Sequence, residues 1–239
     1  MSSVPILDAD RGREASIVKR AQELFQERRQ QVLARVDHMF LKLMIGQWVF
    51  GILVAVFFSP YAWEGKEKVV HLHVYIAVLV GGALSLFPIA LATLRPGAPL
   101  TRHVMAASQM LWSALLIHLS GGRIETHFHV FGSLAFLAFY YDWKVLNTAT
   151  LFVASEHFLR GLLWPESIYG VANPEWWRFL EHAFWVLFTD AFLVLACLNG
   201  VADMKSAARR QAEVETLAES DEVKSLALQM ALEEVAAKA

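Results

Sequence analysis

The sequence has little charge and almost no cysteine. Charged residues make up 18% of its 239 residues and hydrophobic residues 56%, whereas soluble domains average about 25% and 45–50%. Cys197 is the single cysteine, which excludes an internal disulfide framework and any cysteine-rich zinc or iron–sulfur site. The formal net charge of −2 offers no basic surface for nucleic acid. This composition is typical of an integral membrane protein.

Several sequence motifs that carry common chemistry are also missing. No Walker A loop, Rossmann glycine fingerprint, Gly-x-Ser-x-Gly elbow or His-Glu-x-x-His pair occurs. ATP hydrolysis, dinucleotide chemistry and the commonest hydrolase mechanisms therefore have no support. The first 38 residues lack the apolar core and cleavage site of a signal peptide, so we expect this segment to stay on the chain.

Long apolar runs dominate what the sequence does contain. Leu43–Ala62, Val69–Leu94 and Val104–Gly122 include no Asp, Glu, Lys or Arg, and about twenty such residues suffice to cross a bilayer. The full pattern predicts an all-α polytopic protein, a bundle of six transmembrane helices. We place the spans near residues 40–60, 68–93, 101–120, 126–142, 145–164 and 174–202.

The charge distribution predicts three regions. Residues 1–38 form a cytoplasmic amphipathic segment, residues 39–203 the histidine-rich six-span domain, and residues 204–239 a cytoplasmic helical tail. Basic residues flank the first and last spans, which predicts that both termini lie in the cytoplasm. The tail has an imperfect apolar seam, so both a coiled coil and a solvated helix fit it.

Seven of the nine histidines fall at similar depth, near the outer ends of five predicted spans. Ionisable side chains inside a membrane are costly and usually functional, and imidazole is the commonest side-chain metal ligand. A metal or haem centre is the leading interpretation; a proton-relay network and structural polar packing are the alternatives. The predicted ligands are His71, His73, His118, His127, His129, His157 and His182.

Two His-x-His patterns, at His71 and His127, bear on the number of metal ions. Helix positions i and i+2 point about 200° apart, so one ion cannot easily take both histidines of a pair. Seven ligands also exceed the four of a simple site. We therefore favour two copper or iron ions, with haem b as the alternative and zinc as the weaker candidate.

Carboxylates accompany the histidines. The dipeptide Glu-His occurs as Glu156-His157 and as Glu181-His182, and a neighbouring carboxylate can ligate a metal or orient an imidazole. Glu156 could instead pair with Arg160 at i+4. The candidate additional or supporting ligands are Glu125, Glu156, Glu181 and Asp190, of which the deeper Asp190 suits a polar contact or a proton path better than ligation.

Glycines allow two further interpretations. A haem would need a slot between helices, which Gly81-Gly82 or Gly132 could open, although membrane glycines more often allow close packing. Gly121-Gly122 permits a tight turn between the third and fourth spans, and a ligand-facing lid is the functional alternative.

The segment 122–143, with its His127-Phe128-His129, resembles a family of membrane modules. Glu156-His157 and His71-Leu72-His73 extend this similarity over most of residues 70–200. The module is found at the N-terminus of bacterial sensor histidine kinases, chemoreceptor-like proteins and diguanylate cyclases. The resemblance implies an input domain whose last helix leads into a transmitter; this sequence ends at Ala239 before one, so we expect an excised sensor or one that works alone.

These observations lead to one main functional hypothesis. The bundle senses a small ligand such as O2, NO, a quinone or a metal ion at its metal or haem centre, and passes the signal to a cytoplasmic tail. The expected partners are a second copy of the chain and a cytoplasmic transmitter. The rival hypotheses are a multi-histidine membrane oxidoreductase or hydroxylase with a di-iron or di-copper site, and a proton-coupled transporter.

Overall fold

The computed structural model describes the backbone of residues 4–238 and the side chains of residues 11–236. Seven α-helices, one two-stranded hairpin and a short 3-10 turn make up this part of the chain. The helices are α1 (Val4–Phe58), α2 (Leu72–Leu94), α3 (Pro99–Leu119), α4 (Ile124–Leu137), α5 (Trp143–Leu163), α6 (Glu166–Tyr169) and α7 (Arg178–Lys238). The strands are β1 (Tyr61–Glu64) and β2 (Glu67–Val70), and the 3-10 turn is Ala138–Tyr140.

The predicted all-α class is confirmed, and each of the six predicted spans contains one long helix. Two details differ. The N-terminal segment is not a separate helix, since α1 runs without a break to Phe58. The chain between the first two spans forms an antiparallel hairpin, closed by Gly65 at φ +64° and covered by Lys68 over the Tyr61 ring. Strands of four residues are too short for their alternation to be read from sequence.

Within residues 11–236, three helices are long and apolar enough to cross a membrane: α1, α2 and α7. These three helices support a membrane protein, but they are fewer than the six spans that the sequence predicted. Helix α4 has only 14 residues. Helices α3 and α5 carry more polar residues, and α3 is largely buried among other helices. A helix that faces its neighbours rather than lipid does not need an apolar surface.

The chain folds into two compact units, residues 31–199 and residues 1–30 with 200–239. In the larger unit, α3 packs against α2, α4 and α5. The buried indole of Trp112 fills the space left by Gly51 and Gly81, where an added Cβ would lie 2.7 and 2.9 Å from the ring. Trp48 covers Gly82 in the same way. Indole rings therefore occupy the Gly81-Gly82 slot that we considered for haem.

A buried carboxylate joins three parts of the larger unit at the end remote from the hairpin. Asp37 is fully buried on α1 and accepts hydrogen bonds from the Tyr140 hydroxyl at 2.6 Å and from the Gly97 amide. Phe40 stacks on the Tyr140 ring. The sequence placed Asp37 in a polar terminal segment, because a lone aspartate between charged residues carries no sign of burial.

The smaller unit pairs the N-terminal part of α1 with the C-terminal part of α7. Ion pairs join Arg20 to Glu215 and Arg209 to Glu14, both at 2.8 Å. Farther along α7, residues 221–236 are exposed. Their exposed apolar side chains are Val223, Leu226, Leu228, Met230, Leu232 and Val235.

Candidate functional site

The seven candidate histidines divide into two groups and a single residue. His127, His157 and His182 form the first group, which we call the triad. The second group comprises His71, His73 and His118, whose rings follow one another at centroid distances of 4.3 and 4.9 Å. His129 contacts neither group through its ring nitrogens, which bond to other side chains.

Three helix ends bring the triad together. His127 lies in the first turn of α4, His182 in the second turn of α7, and His157 near the end of α5. The ring centroids are 5.3 Å apart for His127 and His182, 5.7 Å for His127 and His157, and 6.2 Å for His157 and His182. His127 and His157 are each only 5% exposed.

The Nδ1 atom of each triad ring faces an oxygen. His127 Nδ1 donates to the Arg123 carbonyl at 3.0 Å and His182 Nδ1 to the Arg178 carbonyl at 2.9 Å. His157 Nδ1 lies 2.6 Å from a Glu156 carboxylate oxygen. Because a carbonyl or carboxylate can only accept, the imidazole proton sits on Nδ1 in all three rings. In its neutral form each ring therefore presents an unprotonated Nε2, as metal-bound histidines do.

Glu156 and Arg160 hold the triad to the rest of the bundle. Glu156 contacts both His157 and Arg160, its i+4 neighbour, so both alternatives considered for this carboxylate occur together. Arg160 also donates to the Ala114 carbonyl on α3 at 3.1 Å and to the Ser167 carbonyl at 2.8 Å. Because these groups are largely buried, the pair fixes the His157 ring in one orientation.

A largely apolar cavity of about 100 Å³ adjoins the triad, and Nε2 of His127 has no hydrogen-bond partner among the described residues. Thr150 is the only other polar side chain of the lining, and it donates to Asp190. The remaining lining residues are Val130, Phe131, Val153, Ala154, Phe179, Ala183, Val186 and Leu187. A wider groove beside it, lined by Phe128, Trp185 and Glu181 among others, also reaches His127 and His182.

The second histidine group has a different hydrogen-bonding character. His71 caps the N-terminus of α2, and its Nδ1 accepts from the His73 amide at 3.0 Å. His118 Nδ1 lies 2.8 Å from the Ser167 hydroxyl, which itself accepts from Arg160. Because a backbone amide can only donate, His71 uses Nδ1 as an acceptor and, when neutral, carries its proton on Nε2. His71 therefore offers a donor where the triad offers acceptors.

His129 lies on the opposite side of α4 from His127, as the 200° separation predicts. Its Nε2 is 2.8 Å from the Gln47 amide nitrogen and its Nδ1 is 2.7 Å from the Ser113 hydroxyl. Gln47 and Gln109 exchange two further hydrogen bonds of 2.9 Å. Both nitrogens of His129 are therefore used in joining α1, α3 and α4, which is the structural packing alternative.

The four candidate carboxylates have unlike surroundings. Glu125 is exposed beside Arg123, and Glu181 is also exposed. Asp190 is buried; one of its oxygens accepts from Thr150 and the other has no partner within the described part of the chain. Glu156 is the one that touches a triad ring.

Tyr169, the last residue of α6, completes the site, and nothing in the sequence had singled it out. Its ring lies edge-on to His182 at 5.6 Å, and the Arg178 guanidinium lies over it. Burial raises the pKa of the Tyr169 hydroxyl above its ordinary value, so the side chain stays neutral. A neutral aromatic ring restricts His182 without competing for a cation.

Two glycine turns meet beside the triad. Gly122 has φ +76°, and an added Cβ would collide with the Gly170 amide nitrogen. This turn places the Arg123 carbonyl that orients His127. The structure thus gives Gly121-Gly122 a close-packing role in addition to the tight turn.

We expect Gly122→Ala to lower the unfolding free energy by at least about 2 kcal/mol, since positive φ costs about 1–2 kcal/mol in an L-residue and the clash adds to it. Gly132→Ala is the matched control, because nothing lies within 4 Å of that position. Urea unfolding in detergent micelles measures both. Equal stability of the two variants would contradict the close contact.

Among residues 11–236, no group of three or more His, Cys, Asp or Glu side chains is arranged as a metal site. The predicted metal ligands thus remain predictions. The triad still approaches the spacing of such a site. Ring centres lie about 3.2 Å from an ion held by Nε2 at about 2.0–2.1 Å, so three rings around one ion would be about 5.2–5.5 Å apart. The observed spacings of 5.3, 5.7 and 6.2 Å require only small side-chain rotations.

Comparison with known proteins gives one informative similarity. The chain is 30% identical over 119 residues to the transducer protein Htr8 of Halobacterium salinarum, which covers 48% of this chain and 18% of that protein. The chain therefore spans less than a fifth of the transducer's length. No family model and no solved structure matches the chain. The similarity points to a signalling role, and nothing in it defines a histidine-rich family.

Proposed function

We propose that this protein is the input module of a membrane sensor, and that it binds a transition-metal ion through His127, His157 and His182. The observation that carries the proposal is the common orientation of the three rings. Each Nδ1 faces an oxygen, so the neutral rings leave three unprotonated nitrogens beside an apolar cavity. The Nε2 atom of His127 is buried without a hydrogen-bond donor among the described residues, which is costly, and a cation bound by the triad would satisfy it.

The membrane arrangement is part of the proposal. Helices α1, α2 and α7 are apolar enough to cross a bilayer, and α3, α4 and α5 would complete six spans as the inner members of the bundle. The basic residues that flank the first and last spans favour cytoplasmic termini. The resemblance to bacterial sensor modules supports a location in the bacterial inner membrane.

Helix α7 supplies the route for the signal. It begins at Arg178, whose carbonyl orients His182, and ends at Lys238. A ligand or redox change at the metal would alter the packing at the start of α7, and a continuous helix can pass such a change along its length. The exposed apolar residues of 221–236 then favour a homodimer that connects to a transmitter.

The number of ions is one per chain in this proposal. His71 of the second group presents an Nε2–H donor, His118 is hydrogen-bonded to Ser167, and His129 uses both of its nitrogens in hydrogen bonds. Copper and iron both suit imidazole ligands, and haem or a second ion would need other residues to reorganise. O2, NO, a quinone or the metal ion itself are the candidate inputs.

Fusing a histidine-kinase transmitter after Ala239 tests the sensor role. We expect metal removal by a chelator to change kinase output by at least about fivefold, and His182→Gln to abolish this response at unchanged protein level. His103→Gln is the control, because that ring contacts Thr148 outside the triad. Phosphorylation of the response regulator in isolated membranes is the measurement.

Two other results would contradict the sensor proposal and favour a different function. Turnover of an oxidisable substrate by the isolated chain, with output insensitive to His182→Gln, would favour the membrane oxidoreductase. Proton-coupled solute uptake into vesicles that contain only this chain would favour the transporter.

A further inference from the structure

We infer that the triad selects a monovalent cuprous ion, held by three imidazole nitrogens in a nearly planar arrangement, over divalent zinc or cupric ions. The inference rests on the proposed function and specifies its metal. It draws on three features of the larger unit: the donor set, the cavity lining and the ring spacing.

The first feature is the absence, among the described residues, of an anionic donor directed at the triad's Nε2 atoms. The Glu156 carboxylate is committed to His157 Nδ1 and to Arg160. Glu181 is exposed. Asp190 accepts from Thr150 eight residues beyond His182 along α7. No negatively charged ligand would therefore offset the charge of an ion bound at the triad.

That charge decides the cost of burial. The Born cost of moving an ion into a medium of low dielectric constant rises with the square of its charge, so a divalent ion costs about four times as much as a monovalent ion of similar size. The Glu156–Arg160 pair is neutral as a unit. The described residues that line the cavity carry no formal negative charge, which favours the monovalent ion.

The second feature is the lack of a fourth ligand in the described part of the chain. Zinc takes four ligands in protein sites, and a catalytic zinc with three histidines keeps water as the fourth. A bound water needs two to four polar partners. The cavity offers Thr150, which already donates to Asp190, and otherwise side chains such as Val130 and Phe131. In the wider groove Thr189 donates to the Trp185 carbonyl, and Glu181 is exposed. A three-coordinate ion fits this lining, whereas a four-coordinate ion lacks a partner.

The third feature is the ring spacing. Three rings at 120° around one ion have centres about 5.5 Å apart, and tetrahedral angles bring them to about 5.2 Å. The triad spacings of 5.3, 5.7 and 6.2 Å are close to both values, so what distinguishes the metals is the number of rings, which is three. Cupric copper prefers four ligands in a square-planar or tetragonal arrangement, which three rings cannot supply.

Anaerobic competition with the full chain in detergent tests the inference. Cu(I) buffered by bicinchoninate is titrated in the presence of Zn(II), and bound metals are counted by mass spectrometry. We expect one Cu(I) per chain and at least a tenfold preference over Zn(II). X-ray absorption at the copper edge should report three nitrogen neighbours and no fourth ligand.

Ala154 provides a matched pair of variants. It lines the cavity one helical turn before His157. Ala154→Asp would therefore place a carboxylate in the cavity as a candidate fourth ligand. We expect Ala154→Asp to shift the preference at least tenfold toward Zn(II), and Ala154→Asn, of nearly the same shape but uncharged, to keep the Cu(I) preference.

The outcomes separate this inference from the proposed function. Stoichiometric Zn(II) that Cu(I) does not displace, and that is lost in His182→Ala, would overturn the cuprous assignment and leave the metal sensor standing. Absence of any bound metal at the triad would overturn both.

Discussion

Replacing His182 with alanine is expected to lower metal affinity by more than about 100-fold. Supporting residues around a metal alone account for about 10–100-fold, and His182 would be one of only three ligands. Its Nδ1 is already fixed by the Arg178 carbonyl at 2.9 Å, so the loss removes a preoriented donor. Equilibrium dialysis against a chelator-buffered metal measures the change.

His118→Ala is the matched control for this experiment. His118 lies near the same end of the bundle, but its ring belongs to the second group and bonds to Ser167. We expect this variant to retain the wild-type stoichiometry of one ion. A loss of metal equal to that of His182→Ala would indicate that both groups bind metal together, as in the two-ion centre that the sequence predicted.

Glu156→Ala is expected to have the second large effect, on metal affinity and on stability together. The carboxylate orients His157 and pairs with Arg160, so we expect metal affinity to fall about 10–100-fold. The variant also removes the carboxylate partner of Arg160, whose guanidinium keeps its hydrogen bonds to the Ala114 and Ser167 carbonyls. We therefore expect the unfolding free energy to fall by about 1–3 kcal/mol. Dialysis and urea unfolding in detergent measure the two effects.

Glu181→Ala tests whether a carboxylate that precedes a triad histidine in the sequence affects the site without contacting its ring. Glu181 precedes His182 as Glu156 precedes His157, yet it is exposed. We expect it to change metal affinity less than twofold and the unfolding free energy by less than about 0.5 kcal/mol, as for an ordinary surface site. A double variant Glu156→Ala, Arg160→Ala should recover part of the stability but not the metal affinity.

The sequence predicted the helical framework correctly because hydrophobic burial and helix propensity act locally. Six helices of 14 residues or more could be located from the apolar runs and from the breaks at Pro and Gly. The uninterrupted course of α7, one of these six, follows from the absence of Gly and Pro in the tail. The helical repeat also required His127 and His129 to face different neighbours. These features depend on spacing along the chain, which can be read without any tertiary contact.

The contacts between individual side chains could not be predicted from spacing along the chain. The spacing of Glu156 allowed an ion pair or contact with a ring, and packing produced both. Asp37 looked like a charge in a polar segment, and it is fully buried against Tyr140 and Gly97. Such pairings join residues far apart along the chain, and only the arrangement of the helices brings them together.

The amino-acid sequence alone determined that this chain is all-α, rich in apolar helices and supplied with histidines near the same end of successive spans. The tertiary structure decided which imidazoles meet, and which nitrogen of each is left free. Each helix fixes the direction of its side chains, but the proton position on a histidine depends on the group opposite Nδ1. That group is a carbonyl or carboxylate in the triad and a backbone amide at His71, so histidines at one apparent depth present different nitrogens.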